Sequence, residues 1–152
     1  TVEAALTALE ELGEAGVAGR MRRLLGQGKL RAMNDPTFQR PRERCTFGYT
    51  DERGRVLLNP RLCFASLTAF GREGAPCDVV VTLSTLVHEH EHVARHASEE
   101  QALEAEWRFL RRAVGQPHRL RAELASWEGE MDARVEERLG REGKQAVLAR
   151  IR

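Results

Sequence analysis

Leu86-Val87-His88-Glu89-His90-Glu91-His92-Val93 sits near the middle of the chain, and with His96 it holds four of the five histidines. It contains the pattern H-E-x-x-H at His88, Glu89 and His92. On a helix, residues four apart share a face, with Cβ atoms roughly 5–6 Å apart. Two imidazoles so placed can reach one Zn²⁺ at about 2.0–2.1 Å. Glu89 projects about 100° further round the helix. From there it can reach a water at the ion without ligating the ion, which makes it the expected general base. His90 falls nearer the apolar face and reads as a core or flanking histidine.

The surroundings support a helix anchored in a core. Asp78 is a suitable N-cap, and Val79, Val80, Leu83, Leu86, Val87 and Ala94 mark a buried side over residues 79–96. The β-branched run 79–82 leaves a strand as the alternative there. Upstream, Phe47 and Tyr49 alternate with polar residues, and Val56, Leu57 and Leu58 form a return strand. Asp51-Glu52-Arg53-Gly54 between them is turn chemistry. Downstream, Ser98 followed by Gln101 is a capping-box pattern opening the next helix. Its apolar stripe is Ala102, Leu103, Phe109, Leu110 and Ala113.

A catalytic zinc site uses three protein ligands and a water, so a third ligand is needed. His96 lies eight residues after His88, about 12 Å along an unbroken helix, and ranks below a carboxylate from the next helix. The acids there are Glu99, Glu100, Glu104 and Glu106. Glu100 and Glu104 share a face, so one can ligate while the other orients a histidine. They are the expected pair, Glu100 first. Glu99 and Glu106 lie nearer the apolar stripe, where a buried carboxylate needs a partner. For Glu106 that partner could lie at the site.

The chain is 152 residues long, the size of one domain. It divides into N-terminal helices with a basic loop (1–44), a core (45–114) and a helical extension (115–152). Helices are expected over 2–12 and 17–25. Residues 33–44 read as loop and 61–76 as ambiguous. A long helix on Leu120, Leu124, Trp127, Met131, Val135 and Leu139 is interrupted at Gly140 and Gly143. Its stripe suits either a bundle or a homodimer. The net charge is +1, and the basic segment 20–44 lacks the interleaved aromatics of a single-strand nucleic-acid binder. It reads as solvated surface; a nucleic-acid role would show affinity falling steeply with salt. Cys45, Cys63 and Cys77 are odd in number and far apart, which suits free thiols in a reducing compartment. With no signal or membrane-spanning pattern, the expectation is a cytoplasmic protein.

Hairpin, H-E-x-x-H helix and acidic helix in that order resemble the zincin metallopeptidases, and most of all the gluzincins, over residues 45–114. The metzincin extension is not matched, since Arg95 and Ser98 stand where it needs glycine and histidine. His118 followed by Arg119 likewise fails the His-Gly of the DNA-repair-associated zincins. The resemblance implies a mostly helical α+β domain whose edge strand pairs with an extended peptide or protein substrate. It implies Zn²⁺ held by His88, His92 and one of Glu100 and Glu104, with Glu89 as base for peptide hydrolysis. Tyr49 and His118 are candidates for assisting the oxyanion. The alternative is a non-catalytic scaffold, metal-holding or not, serving assembly or regulation.

Overall fold

Helix α3 (Asp78–Arg95) is the hub of the fold. In the computed structural model, which describes residues 2–32, 47–59 and 78–152, the other elements pack around it. Helices α1 (Val2–Glu11) and α2 (Ala15–Gly26) pack on each other and against one side. Helices α4 (Glu99–Val114) and α5 (Arg121–Ile151) cover another. Strands β1 (Leu30–Ala32), β2 (Gly48–Thr50) and β3 (Val56–Leu58) form a small sheet in the order β1-β3-β2. The protein is therefore a mostly helical α+β domain. Among the described residues, no helix is long and apolar enough to cross a membrane.

The burial pattern explains why α3 is a helix despite its β-branched start. Val80, Val81, Thr82, Leu83, Ser84, Thr85, Leu86 and Val87 are all buried, so its first turns are apolar nearly all round, as expected of a helix enclosed by others. The Thr85 hydroxyl donates to the Val81 carbonyl at 2.8 Å, which keeps that polar group satisfied inside. Ala5, Leu6, Ala8 and Leu9 give α1 its buried stripe, and Ala102, Leu103, Glu106, Trp107, Phe109, Leu110 and Ala113 give α4 its own.

The hairpin forms where expected. Val56 pairs with Thr50 and Leu58 with Gly48 across β2 and β3. Asp51 Oδ1 accepts from the backbone N–H of Arg53 and Arg55 at 2.9 and 2.8 Å, and Gly54 takes φ 67°. Strand β1, parallel to β3, was not anticipated. Three residues carry no readable alternation, and pairing with a distant strand has no local signature. The basic loop 33–44, the ambiguous stretch 61–76 and the three cysteines lie outside the described residues.

The capping box at α4 is present: Gln101 N–H donates to Ser98 Oγ, and Ser98 N–H to Gln101 Oε1. The stripe of α5 is buried within the chain's own core at Leu124, Trp127, Met131, Val135 and Val147. The expected break at Gly140 is sharp, at φ 72° and ψ 177°. Along a straight helix, residues 12 apart would be about 18 Å apart. Yet Lys144 Nζ lies 2.9 Å from Asp132 Oδ2, so residues 141–151 turn back on the first part of α5. Backbone in that region is essentially confined to glycine. Gly140→Ala should therefore lower stability by about 1–3 kcal/mol in urea unfolding. An unchanged midpoint would mean that the bend does not depend on this residue.

Candidate metal centre

His88 and His92 project from the last turns of α3 into a cleft of about 680 Å³ lined by β2, α4 and α5. Their Nε2 atoms lie 3.2 Å apart. Glu99 Oε2 lies 3.4 Å from His88 Nε2 and 3.5 Å from His92 Nε2. Two ligands each about 2.0–2.1 Å from zinc and at the tetrahedral angle are about 3.3–3.4 Å apart. The three observed separations match three edges of such a tetrahedron, so the donor set fits Zn²⁺.

The outer nitrogens of both rings face acceptors. His88 Nδ1 is 3.1 Å from Glu106 Oε2, and His92 Nδ1 is 2.8 Å from the Ala97 carbonyl. Each Nδ1 is thereby assigned as the donor, which leaves each neutral ring a lone pair on Nε2. Two lone pairs facing each other repel unless a cation stands between them. Either a proton or a metal ion can be that cation.

The reversal between α3 and α4 builds this geometry. His96 takes φ 50°, and the Ala97 N–H reaches back to the Glu91 carbonyl at 3.3 Å. The His96 N–H donates to the His92 carbonyl at 3.2 Å, which closes α3 in the manner of an αL cap. The reversal also turns the Ala97 carbonyl onto His92 and sets Glu99 at the first turn of α4. His96 lines the cleft but does not join the three-residue group.

Glu106 follows Glu99 by seven residues, about two turns, and so shares its face of α4. It is buried, and its pKa is governed by opposing effects. Burial pushes it up, but the Arg134 charge and the His88 and Ser84 contacts outweigh this and hold it down at about 2. Arg134 Nη1 donates to Glu106 Oε1 at 2.9 Å and the Ser84 hydroxyl also donates there. Trp127 Nε1 donates to Ser84 Oγ at 2.9 Å. The Arg134 guanidinium also lies over the rings of Phe47 and Trp127, 5.3 and 4.8 Å from their centroids, within cation–π range.

Burial works against a charged His88. The hydrogen bonds with Glu106 and Glu99 and the nearby carboxylate charges outweigh it, and its pKa is pushed up to about 10. His92 is raised by its contact with Glu99 against partial burial. Glu99 is pulled well below the usual carboxylate range, first by His88 and then by His92.

Glu89 stands apart from this set and is 2% exposed. Burial pushes its pKa up, partly offset by the His88 charge and the Thr50 hydroxyl. Thr50 Oγ1 donates to Glu89 Oε2 at 2.7 Å. Strand β2 can lie this close to α3 because of Gly48. A Cβ there would fall 2.9 Å from Thr85 Cγ2 and 3.1 Å from the Leu57 carbonyl.

No family model, curated protein or solved structure matches the chain. The site's chemistry therefore rests on its own geometry.

That geometry changes the expected ligand. Glu100 and Glu104 do not face the histidines. Both pair with Arg150, and Glu104 also pairs with Arg108 at 2.6 Å. They line a separate pocket. The two do share a face, but that face meets the returning end of α5. The apolar-stripe acids Glu99 and Glu106, ranked lower, are the ones beside the histidines. Their sevenfold spacing and the cost of burying an acid were the available signals. His90 is partly buried beside Glu91, and burial lowers its pKa. Tyr49 lines the cleft. His118 pairs instead with Glu11 at 2.9 Å. Arg134 and Arg138 line the cleft from α5, outside the region of resemblance, and no sequence pattern marked them.

Two outcomes follow for the metal-free protein. Arg134→Ala strands a buried carboxylate, so it should cost about 3–5 kcal/mol in chemical denaturation; a loss near zero would show Glu106 to be satisfied without it. The pH profile should fall at both ends. His88 is raised in the fold, so its contribution is complete below 6.5 and lost as pH rises through about 10. Glu106 is lowered, so its contribution is complete above 4.5 and lost as pH falls through about 2. Unfolding free energy measured from pH 3 to pH 10 (roughly that window) tests both, and a flat alkaline limb would remove the His88 assignment.

Proposed function

We propose that the protein is a zinc-dependent hydrolase, a metallopeptidase acting on peptide or protein substrates. The observation that carries this reading is the trio His88, His92 and Glu99, whose donor atoms lie 3.2–3.5 Å apart, with a buried Glu89 beside it that is outside the trio. Among the described residues the group offers three ligand atoms; a zinc ion held by them would keep a fourth position for water, as catalytic zinc requires.

An ion held there supplies Lewis acidity, making water acidic near neutral pH and polarising a carbonyl. The protein's residues do the rest. Glu106 and the Ala97 carbonyl hold the two imidazoles in the tautomer that presents Nε2. Glu89 takes a proton from water as the water oxygen bonds to the amide carbon. It then gives that proton to the departing amine as the C–N bond breaks, leaving a carboxylic acid and an amine; passage of the second water proton to the amine makes them carboxylate and ammonium. Its raised pKa suits a group that must accept and then donate. Thr50 fixes the carboxylate by hydrogen bonding to Oε2. Strand β2 is at one edge of the described sheet and lines the cleft, which suits an extended peptide laid beside it.

Elemental analysis of purified protein should find about one zinc per chain, as a single tetrahedral site requires. His88→Ala and Glu99→Ala should lose it, while Glu100→Ala and Glu104→Ala should keep it. Absence of zinc from the wild type after reconstitution would end the proposal. Glu89→Gln should retain the metal and lower turnover on a peptide library by about 10²–10⁴-fold; full turnover in that variant would remove the assigned base.

A further inference from the structure

Arg138 stands on the rim of the cleft, one helical turn beyond Arg134 on α5. The two arginines differ in how they are used. Arg134 is committed to Glu106 and two aromatic rings. Among the described residues, the one polar contact of Arg138 is Nη1 to Glu99 Oε1, at 3.3 Å. A guanidinium carries several N–H donors in a rigid fork, so most of its capacity remains unspent. Its side chain is 39% exposed, open to the cleft and to anything that enters it.

Its position relative to the other groups is specific. Glu99 offers Oε2 to the two imidazoles and Oε1 to Arg138. Arg138 is therefore one carboxylate away from the place where the three donors converge. Glu89 is tied to β2 through Thr50, whereas Arg138 reaches in from α5. Base and cation thus come from different walls of one cleft.

We propose that the Arg138 guanidinium binds the negative charge that develops on the substrate's carbonyl oxygen during hydrolysis. When the water oxygen bonds to carbon, the C=O π pair moves onto oxygen, and Arg138 donates hydrogen bonds to it. When the C–N bond breaks, that pair re-forms the carbonyl. Arg138 gives up no proton at any stage. Donors aimed at charge that appears only in the transition state lower the barrier, because they bind the ground state less well.

The inference rests on the hydrolase reading, and its test separates the two. Cobalt-loaded protein reports on ligands near the ion through its visible spectrum. The probes are methylphosphonate, a tetrahedral oxyanion, and acetohydroxamate, which grips a metal through two oxygens. In Arg138→Ala, cobalt affinity should stay within about two- to threefold of wild type, as for other surface changes. Methylphosphonate should bind about 10–100-fold more weakly, the range for a lost charge-assisted hydrogen bond. Arg138→Lys should recover part of that loss, and acetohydroxamate should change by no more than about two- to threefold. Unchanged methylphosphonate affinity in Arg138→Ala would overturn the proposal. So would loss of the metal, since Arg138 would then only hold Glu99 in place. Equal methylphosphonate binding by metal-free wild type would overturn it too, by revealing an anion site independent of the ion. A wild type that takes up no cobalt or zinc would defeat the hydrolase reading first, before any probe is added.

Discussion

The buried contact between Glu106 and His88 is the constraint on which this structure depends. An isolated carboxylate in a core is too costly to keep. Glu106 is tolerated because Arg134, Ser84 and His88 each meet one of its oxygens. Those partners come from α3 and α5, and Glu106 itself from α4. Three helices are therefore held in one relative setting by one side chain. The same contact decides which nitrogen of His88 is free, so packing and chemistry are fixed together.

The second constraint is the short reversal at residues 96–98. A helix that ran on past Arg95 would carry its acids away from His92. The left-handed turn at His96 stops it, and the capped start at Ser98 resumes it with Glu99 beside the histidines. One change of direction thus supplies the carboxylate of Glu99 and a carbonyl acceptor for His92. Asparagine or glycine would adopt this φ more readily than histidine.

Much of the fold was legible because its signals are local. The apolar run before His88, the capping box at Ser98 and Gln101, the turn at Asp51–Gly54 and the break at Gly140 each depend on a few neighbouring residues. The histidine pair was legible for the same reason, since its spacing is a property of one helix. The third partner was not. Choosing among Glu99, Glu100, Glu104 and Glu106 needs the angle at which α4 meets α3, and no residue near them states it. Glu100 and Glu104 are favoured because they share a face, on which one can ligate while the other orients a histidine. That face instead meets Arg150, distant in sequence, while Arg134, also distant, lets Glu106 go inside. Strand β1 escaped for a related reason, since the strand it pairs with, β3, is far along the chain.

The position of Arg134 in the chain also gives the structure an order in time. Arg134 follows Glu106 by 28 residues. At synthesis rates of about 5–20 residues per second, that is roughly 1.5–6 s of elongation. During that interval the growing chain already holds both histidines and both acids, yet lacks the cation that lets Glu106 go inside. The inner face of α4 is then a surface that water must still serve. The C-terminal helix thus acts as the closing piece of a site whose chemistry is written much earlier in the chain.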